Sequence, residues 1–456
     1  MLNYIALLIY LIILSVLTYY ASRRKSNEDF LVASRDVGWK ILTISIFASI
    51  ISSYNIVVGL SFAYLFGPWV VVVYGGALVA FIVIYYLAKN QNRTIVIDEK
   101  YNSIIDFIYS KFGRINASVF NLSFMLVLFI FISLQFFINT TVFSAIIGWD
   151  KYTSTLVVGI IVFLYIIKGG LKIEIFTDVF QGILMLIFIG LVFMVDTSKI
   201  TMETITPMLK NKTLIIGALS IGVSQFLTLL VQPEMWQRVY AAKSIKHLKK
   251  AFIYSWVLIF AFIIPIIIIG LAAKASGNIT NPNNLFYDIL KTSSPSWFLP
   301  FISVALFAAF MSTLDSSLFA LGTQLGKYGL WIKSEDKTNR NNDTIMVKKI
   351  RIALVIVTIL TLITSLFFSN FLTSVLQLVS LLTVNSIVVL FALLLKLTKT
   401  EIFLSSLVGI VSFFIAVFGG FITSAPYTIL YPSMITLLYI FFQYFIVRFY
   451  NNSKAK

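Results

Sequence analysis

Apolar runs long enough to cross a bilayer recur along almost the whole chain, and they limit what it can fold into more than any single residue does. About 30 Å of hydrocarbon takes about 20 residues of helix. Such runs fall at roughly 4–20, 42–64, 69–88, 117–147, 153–167, 175–195, 214–231, 251–272, 297–325, 350–368, 371–395, 402–422 and 427–447. The pattern predicts an all-α polytopic membrane protein with about thirteen transmembrane helices. A β-barrel is excluded, because barrel strands alternate apolar and polar residues over about ten positions. Hydrophobic residues make up 59% of the chain and charged residues only 12%, against about 25% charged in soluble domains. One transmembrane domain is expected over 1–456. The longest polar stretch, 327–351, is too short to build a core of its own. The first run is followed by Arg23, Arg24 and Lys25 without a small-residue cleavage site, so it reads as a retained span.

The formal net charge of +17 is explained by topology. If 21–40 faces the cytoplasm and the loops alternate from there, cytoplasmic segments collect 29 of the 35 lysines and arginines. That is the asymmetry of the positive-inside rule. It predicts a multi-pass protein of the cell membrane with its N-terminus outside and its C-terminus in the cytoplasm. It also removes nucleic acid as the reason for the charge, leaving the lipid bilayer as the partner of the surface. The chain has no cysteine, which excludes disulfides, thiolate metal sites and cysteine catalysis. Its one histidine, His247, lies in a basic loop with no His-Glu-x-x-His motif, so an embedded enzyme is not expected.

The same census predicts no lysine or arginine deep in the membrane. Two acids do fall inside spans, Asp178 and Asp315. Each costs several kcal/mol to hold ionised there, and such residues usually line an ion or substrate route. Without a basic partner, sodium or a proton is the natural counter-charge. Asp315 belongs to a cluster of hydroxyls, Ser312, Thr313, Ser316 and Ser317, in an otherwise apolar helix. Hard oxygen donors of this kind suit an alkali cation. The second run carries Ser45, Ser49, Ser52, Ser53, Tyr54 and Asn55, then Gly59; the run at 214–231 carries Gly222, Ser224, Gln225 and Thr228, then Gln232 and Pro233. Both patterns predict interrupted helices, the best sequence pointer to a transporter's binding site.

Taken in order along the chain, four motifs resemble the solute–sodium symporter family. They are Asp29-Phe-Leu-Val-Ala-Ser-Arg35, Gly169-Gly-Leu-Lys172 with Thr177-Asp-Val-Phe-Gln-Gly182, Gln237-Arg-Val-Tyr-Ala-Ala-Lys243, and Ala308-Ala-Phe-Met-Ser-Thr-Leu-Asp315. The resemblance implies the inverted-repeat leucine-transporter fold. It comprises one extra N-terminal helix (4–20), a ten-helix core (42–395) and two C-terminal helices (402–447). It implies sodium-coupled symport of a small organic solute by alternating access, with a monomer as the functional unit. By motif position, the main Na+ site would use Ser49, Ser52 and Ala309 through carbonyls, and Ser312 and Thr313 through hydroxyls. A second sodium, bound by some members, would draw on Asp178, Asp315 and Ser316.

The substrate side departs from the sugar-transporting members, with Ile51, Ile56 and Gly75 where those carry polar ligands. Ser53, Tyr74, Gln135, Gln225, Thr228 and Gln377 are the expected pocket residues. A neutral, zwitterionic or anionic solute stays open. So does an alternative reading as a membrane-embedded solute sensor or a proton-coupled transporter of the same fold.

Overall fold

In the computed structural model the described residues are 2–22, 27–89, 101, 103–166, 170–277, 285–286, 289, 297–332, 343–368, 371–423 and 425–454. They are helical almost throughout, as lipid requires of a chain that must satisfy every backbone group internally. In chain order the helices are α1 (Leu2–Ser22), α2 (Asn27–Val32), α3 (Trp39–Ile50), α4 (Ser53–Phe66), α5 (Val70–Lys89), α6 (Ile104–Ile147), α7 (Lys151–Ile166) and α8 (Leu171–Met185). They continue with α9 (Met202–Lys210), α10 (Lys212–Val231), α11 (Pro233–Ala241), α12 (Ile245–Ser276), α13 (Leu299–Tyr328), α14 (Asp343–Ser365), α15 (Phe371–Leu395), α16 (Lys399–Phe418) and α17 (Tyr431–Lys454). Ten segments among the described residues are long and apolar enough to cross a membrane, and the expected run at 42–64 is divided between α3 and α4.

Burial sorts the helices. The most apolar stretch of α13 is 94% buried, whereas only 22% of that of α1 is. Thus α13 is the central element and α1 lies at the periphery with most of its side chains left for lipid. The centre of α13 runs Ala308-Ala-Phe-Met-Ser-Thr-Leu-Asp-Ser-Ser317, every residue of it buried. Around it pack α3, α4, α6, α8, α11 and α14. Against this core, α10 and α5 approach closely through glycine: a Cβ on Gly222 would lie 2.6 Å from the Val72 carbonyl oxygen. Small residues at helix crossings are how membrane helices gain contact where no hydrophobic effect drives them together.

Two helices are broken where the polar residues interrupt the apolar runs. The first break ends α3 at Ile50 and restarts as α4 at Ser53, with Ile51 and Ser52 in non-helical conformations. Ser52 caps the new helix by accepting from the Asn55 amide at 3.0 Å, a favourable N-cap residue. The second ends α10 at Val231 and restarts as α11 at Pro233, where proline's missing N–H costs nothing. A short backbone ladder joins the outer ends of the broken helices. Val37 N–H donates to the Ala241 carbonyl and Lys243 N–H to the Val37 carbonyl, both at 3.0 Å. Beside it Lys243 pairs with Asp36 at 2.7 Å and holds that carboxyl below the usual range.

Candidate functional site

The first break supplies backbone oxygen. The last four carbonyls of a helix have no partner within it, and Ser49 is one of these four in α3. The Ser52 carbonyl accepts from the Ile56 amide at 3.0 Å and keeps a second lone pair. The helices on either side of this break, α3 and α4, each pack against α13. There Ala309 accepts from the Thr313 hydroxyl at 3.2 Å. Ser312 donates to Asp178 at 2.6 Å, and its oxygen lone pairs remain available. The five residues expected to hold the main cation thus lie on α3, on the break before α4 and on α13, and both α3 and α4 pack against α13.

Asp178 is fully buried on α8 and is not isolated. Ser45 donates to its Oδ2 at 2.6 Å, Ser312 donates to its Oδ1, and Arg238 forms an ion pair with Oδ2 at 2.8 Å. This corrects the expectation that no basic residue lies among the buried acids. With the apolar run ending at Val231, the positive-inside count places Arg238 among the cytoplasmic basic residues. In the structure the chain turns at Gln232 and continues as α11, which carries Arg238 to complete burial. Arg238 also pairs with Glu174 at 3.0 Å. It donates to Ser316 at 2.9 Å, to Ser45 at 2.9 Å and to the Glu234 carbonyl at 3.2 Å. Glu174 and Glu234, each buried, are acids that sequence reasoning missed. The interruption at Gln232-Pro233 signals a second half-helix, but the burial of that whole segment, Glu234 and Arg238 included, shows only in the structure. Asp315 is buried and its Oδ1 accepts the Ser316 amide at 2.8 Å.

Between the two breaks lies a cavity of about 90 Å³. Ser49, Ser52 and Asn55 line it from the first break, and Gln225, Thr228, Gln232 and Glu234 from the second. Phe124 of α6 and Leu378 of α15 are among its apolar walls. Ser317 donates to Glu234 Oε1 at 2.7 Å, while Glu234 Oε2 and the Thr228 hydroxyl have no hydrogen-bond partner. Of the expected pocket residues, Gln225 and Thr228 line this cavity. Tyr74 lies outside it, with its hydroxyl donating to the Asn55 carbonyl at 3.3 Å; Gln135 and Gln377 also lie outside it. The Ser53 side chain falls outside the described residues.

The geometry, two broken helices around a small polar cavity with an oxygen-rich crossing beside it, is that of a membrane transporter. The model of the sodium:solute symporter family matches residues 30–409. The chain belongs to that family. Sodium/proline symporter 2 of Staphylococcus saprophyticus is 25% identical over 383 residues, covering 77% of this chain and 73% of that protein. The high-affinity proline transporter PutP of Bacillus subtilis is 26% identical, covering 67% of this chain and 69% of its own. Among solved structures, a substrate-bound, outward-open Na+-coupled sialic acid symporter superposes with a TM-score of 0.77 at 19% identity, over 98% of both chains. The fold is therefore that of the leucine-transporter-like symporters, and the chain is a sodium-coupled symporter, not an enzyme.

Proposed function

We propose that the chain carries a compact solute bearing an amino group, such as a zwitterionic amino acid, into the cell with sodium. The observation that carries this reading is Glu234, a buried residue lining the cavity whose carboxylate accepts from Ser317 at Oε1 and has no hydrogen-bond partner at Oε2. A buried charge is costly unless paired and hydrogen-bonded, and a solute ammonium or imino group supplies both. The same carboxylate disfavours an anionic solute, which narrows the choice left open by the sequence. The proline symporters among the relatives handle a solute of this size and type.

Sodium binds at Ser49, Ser52, Ala309, Ser312 and Thr313 in this reading, replacing its hydration shell with five oxygens. Because Ser49 and Ser52 also line the cavity, ion and solute share the first helix break. Sodium would draw α3 and α4 against α13 and favour the state that receives solute. Coupling follows only if the ion binds the two states unequally. The molecule acts as a monomer with thirteen spans, its N-terminus outside and its C-terminus cytoplasmic.

The test is uptake by proteoliposomes under an inward sodium gradient, using labelled proline, other zwitterionic amino acids, hexoses and carboxylates. Sodium-dependent accumulation of an amino-bearing solute, lost in Glu234→Gln, is expected. Accumulation of hexoses or carboxylates alone contradicts the solute reading. Accumulation that follows a proton gradient without sodium contradicts the sodium site.

A further inference from the structure

Trp39, the first residue of α3, gathers lysines from two helices. The Nζ atoms of Lys40 and of Lys250, the latter on α12, each lie 5.8 Å from the centre of its ring. The Tyr254 ring stacks against it at 5.0 Å and 30°. Along α12, Lys246, Lys250 and Tyr254 recur every four residues and share one helix face. We propose that this cluster binds the headgroup of an anionic phospholipid of the phosphatidylglycerol type. Its assignment to the cytoplasmic leaflet rests on the orientation proposed above; the binding itself does not.

Charge is the first support. Lys40, Lys246, Lys249 and Lys250 are exposed, and among the described residues none of them has a carboxylate within ion-pair distance. The first turns of α3 and α12 carry no acid, and Asp36 is already paired with Lys243 at 2.7 Å. A phosphodiester between the two ammoniums would accept from both and relieve their repulsion. The positive-inside rule accounts for basic residues at this end of the helices. It does not account for their convergence on one aromatic ring from two separate elements.

Place is the second support. Trp39 and Lys250 stand at the polar edges of the apolar runs 42–64 and 251–272, the level at which tryptophan and tyrosine meet headgroups. An indole beside an ammonium attracts it through the ring's charge distribution and so holds it at that boundary. Next to the cluster, Ile253, Tyr254 and Val257 of α12 are 52%, 48% and 52% exposed. They offer acyl chains an apolar strip directly below the cationic one, which a free phosphate ion would not use. Ser255 donates to the Thr43 carbonyl at 2.8 Å, tying α12 to α3 about one turn into the membrane. A headgroup bridging Lys40 and Lys250 would fasten the same two helices at their start, and α3 is the half-helix that ends at the first break.

Native mass spectrometry of the purified, delipidated full chain decides the matter. The probe is an equimolar mixture of dioleoyl phosphatidylglycerol and dioleoyl phosphatidylcholine. Retention of phosphatidylglycerol in clear excess is expected. The double variant Lys40→Gln, Lys250→Gln should cut that excess by about tenfold, and Lys40→Arg, Lys250→Arg should keep it. Lys348→Gln with Lys349→Gln removes the same charge from exposed lysines of α14 and should leave the excess unchanged. Equal retention of the two lipids overturns the proposal. So does an excess that survives in Lys40→Gln, Lys250→Gln, or one that falls equally in both glutamine pairs. Displacement of the lipid by millimolar inorganic phosphate would show a free-anion site and overturn it too. Because the measurement is made in detergent, an inverted topology would change the leaflet and leave the site standing.

Discussion

Glu234 shows how much a single atom can select. Its Oε1 accepts from Ser317 and its Oε2 has no hydrogen-bond partner, the position that the proposed function gives to the solute. A hydrogen bond to a charged group is worth about 1.5–3 kcal/mol, so Glu234→Gln should raise the solute KM by roughly tenfold or more. Ser317→Ala keeps the carboxylate in place and should change KM far less; equal effects in uptake assays would show that the carboxylate does not meet the solute. Residues at this scale were partly legible in the sequence. Ser312, Thr313 and Asp178 stand out because hydroxyls and a carboxylate are expensive in an apolar helix and need a reason to be there. Arg238 did not, because a basic residue seven positions after a span's end looks like any other inner-loop residue under the positive-inside rule. Only tertiary packing, which folds that stretch back into the protein as α11, reveals its partners.

At the scale of elements, helix breaks and helix crossings perform different tasks. The breaks at Ser52 and Gln232 expose backbone and place Asn55, Thr228 and Glu234 around one cavity. Both breaks were legible, since runs of serine followed by glycine, or glutamine followed by proline, cannot continue an apolar helix without loss. What followed the second break was not, because nine residues of mixed polarity carry no clear hydrophobic period. The α5–α10 crossing depends on Gly76 and Gly222, where an added Cβ meets backbone: the Gly222 carbonyl in one case and the Val72 carbonyl in the other. Backbone cannot yield as a flexible side chain can, and overpacking typically costs about 1–3 kcal/mol. Gly222→Ala should lower the thermal midpoint of the purified protein. Gly75→Ala, with nothing within 4 Å of the new methyl, should not. A Gly222→Ala protein as stable as wild type would mean that the crossing is looser than described.

For the molecule as a whole, hydropathy made the helical class legible and charge asymmetry predicts an orientation, while the way the helices wrap α13 had to come from structure. Apolar runs say how many segments cross but not which pack together, because lipid and protein interior are equally apolar. The orientation has a direct check in a chain without cysteine. A cysteine at Ser198 should react with an impermeant maleimide in intact cells, and one at Lys249 only after permeabilisation; the reverse pattern would invert the topology. The central claim is that sodium sits where the first broken helix meets α13, held by the carbonyls of Ser49, Ser52 and Ala309 and the hydroxyls of Ser312 and Thr313. The sodium concentration for half-maximal uptake tests it most directly. Thr313→Ala removes a ligand and should raise that concentration by about tenfold, equivalent to ~1.4 kcal/mol, whereas Ser49→Ala keeps its carbonyl and should change it little. Equal sodium affinity in Thr313→Ala and wild type, or an equal loss in both variants, would contradict the account.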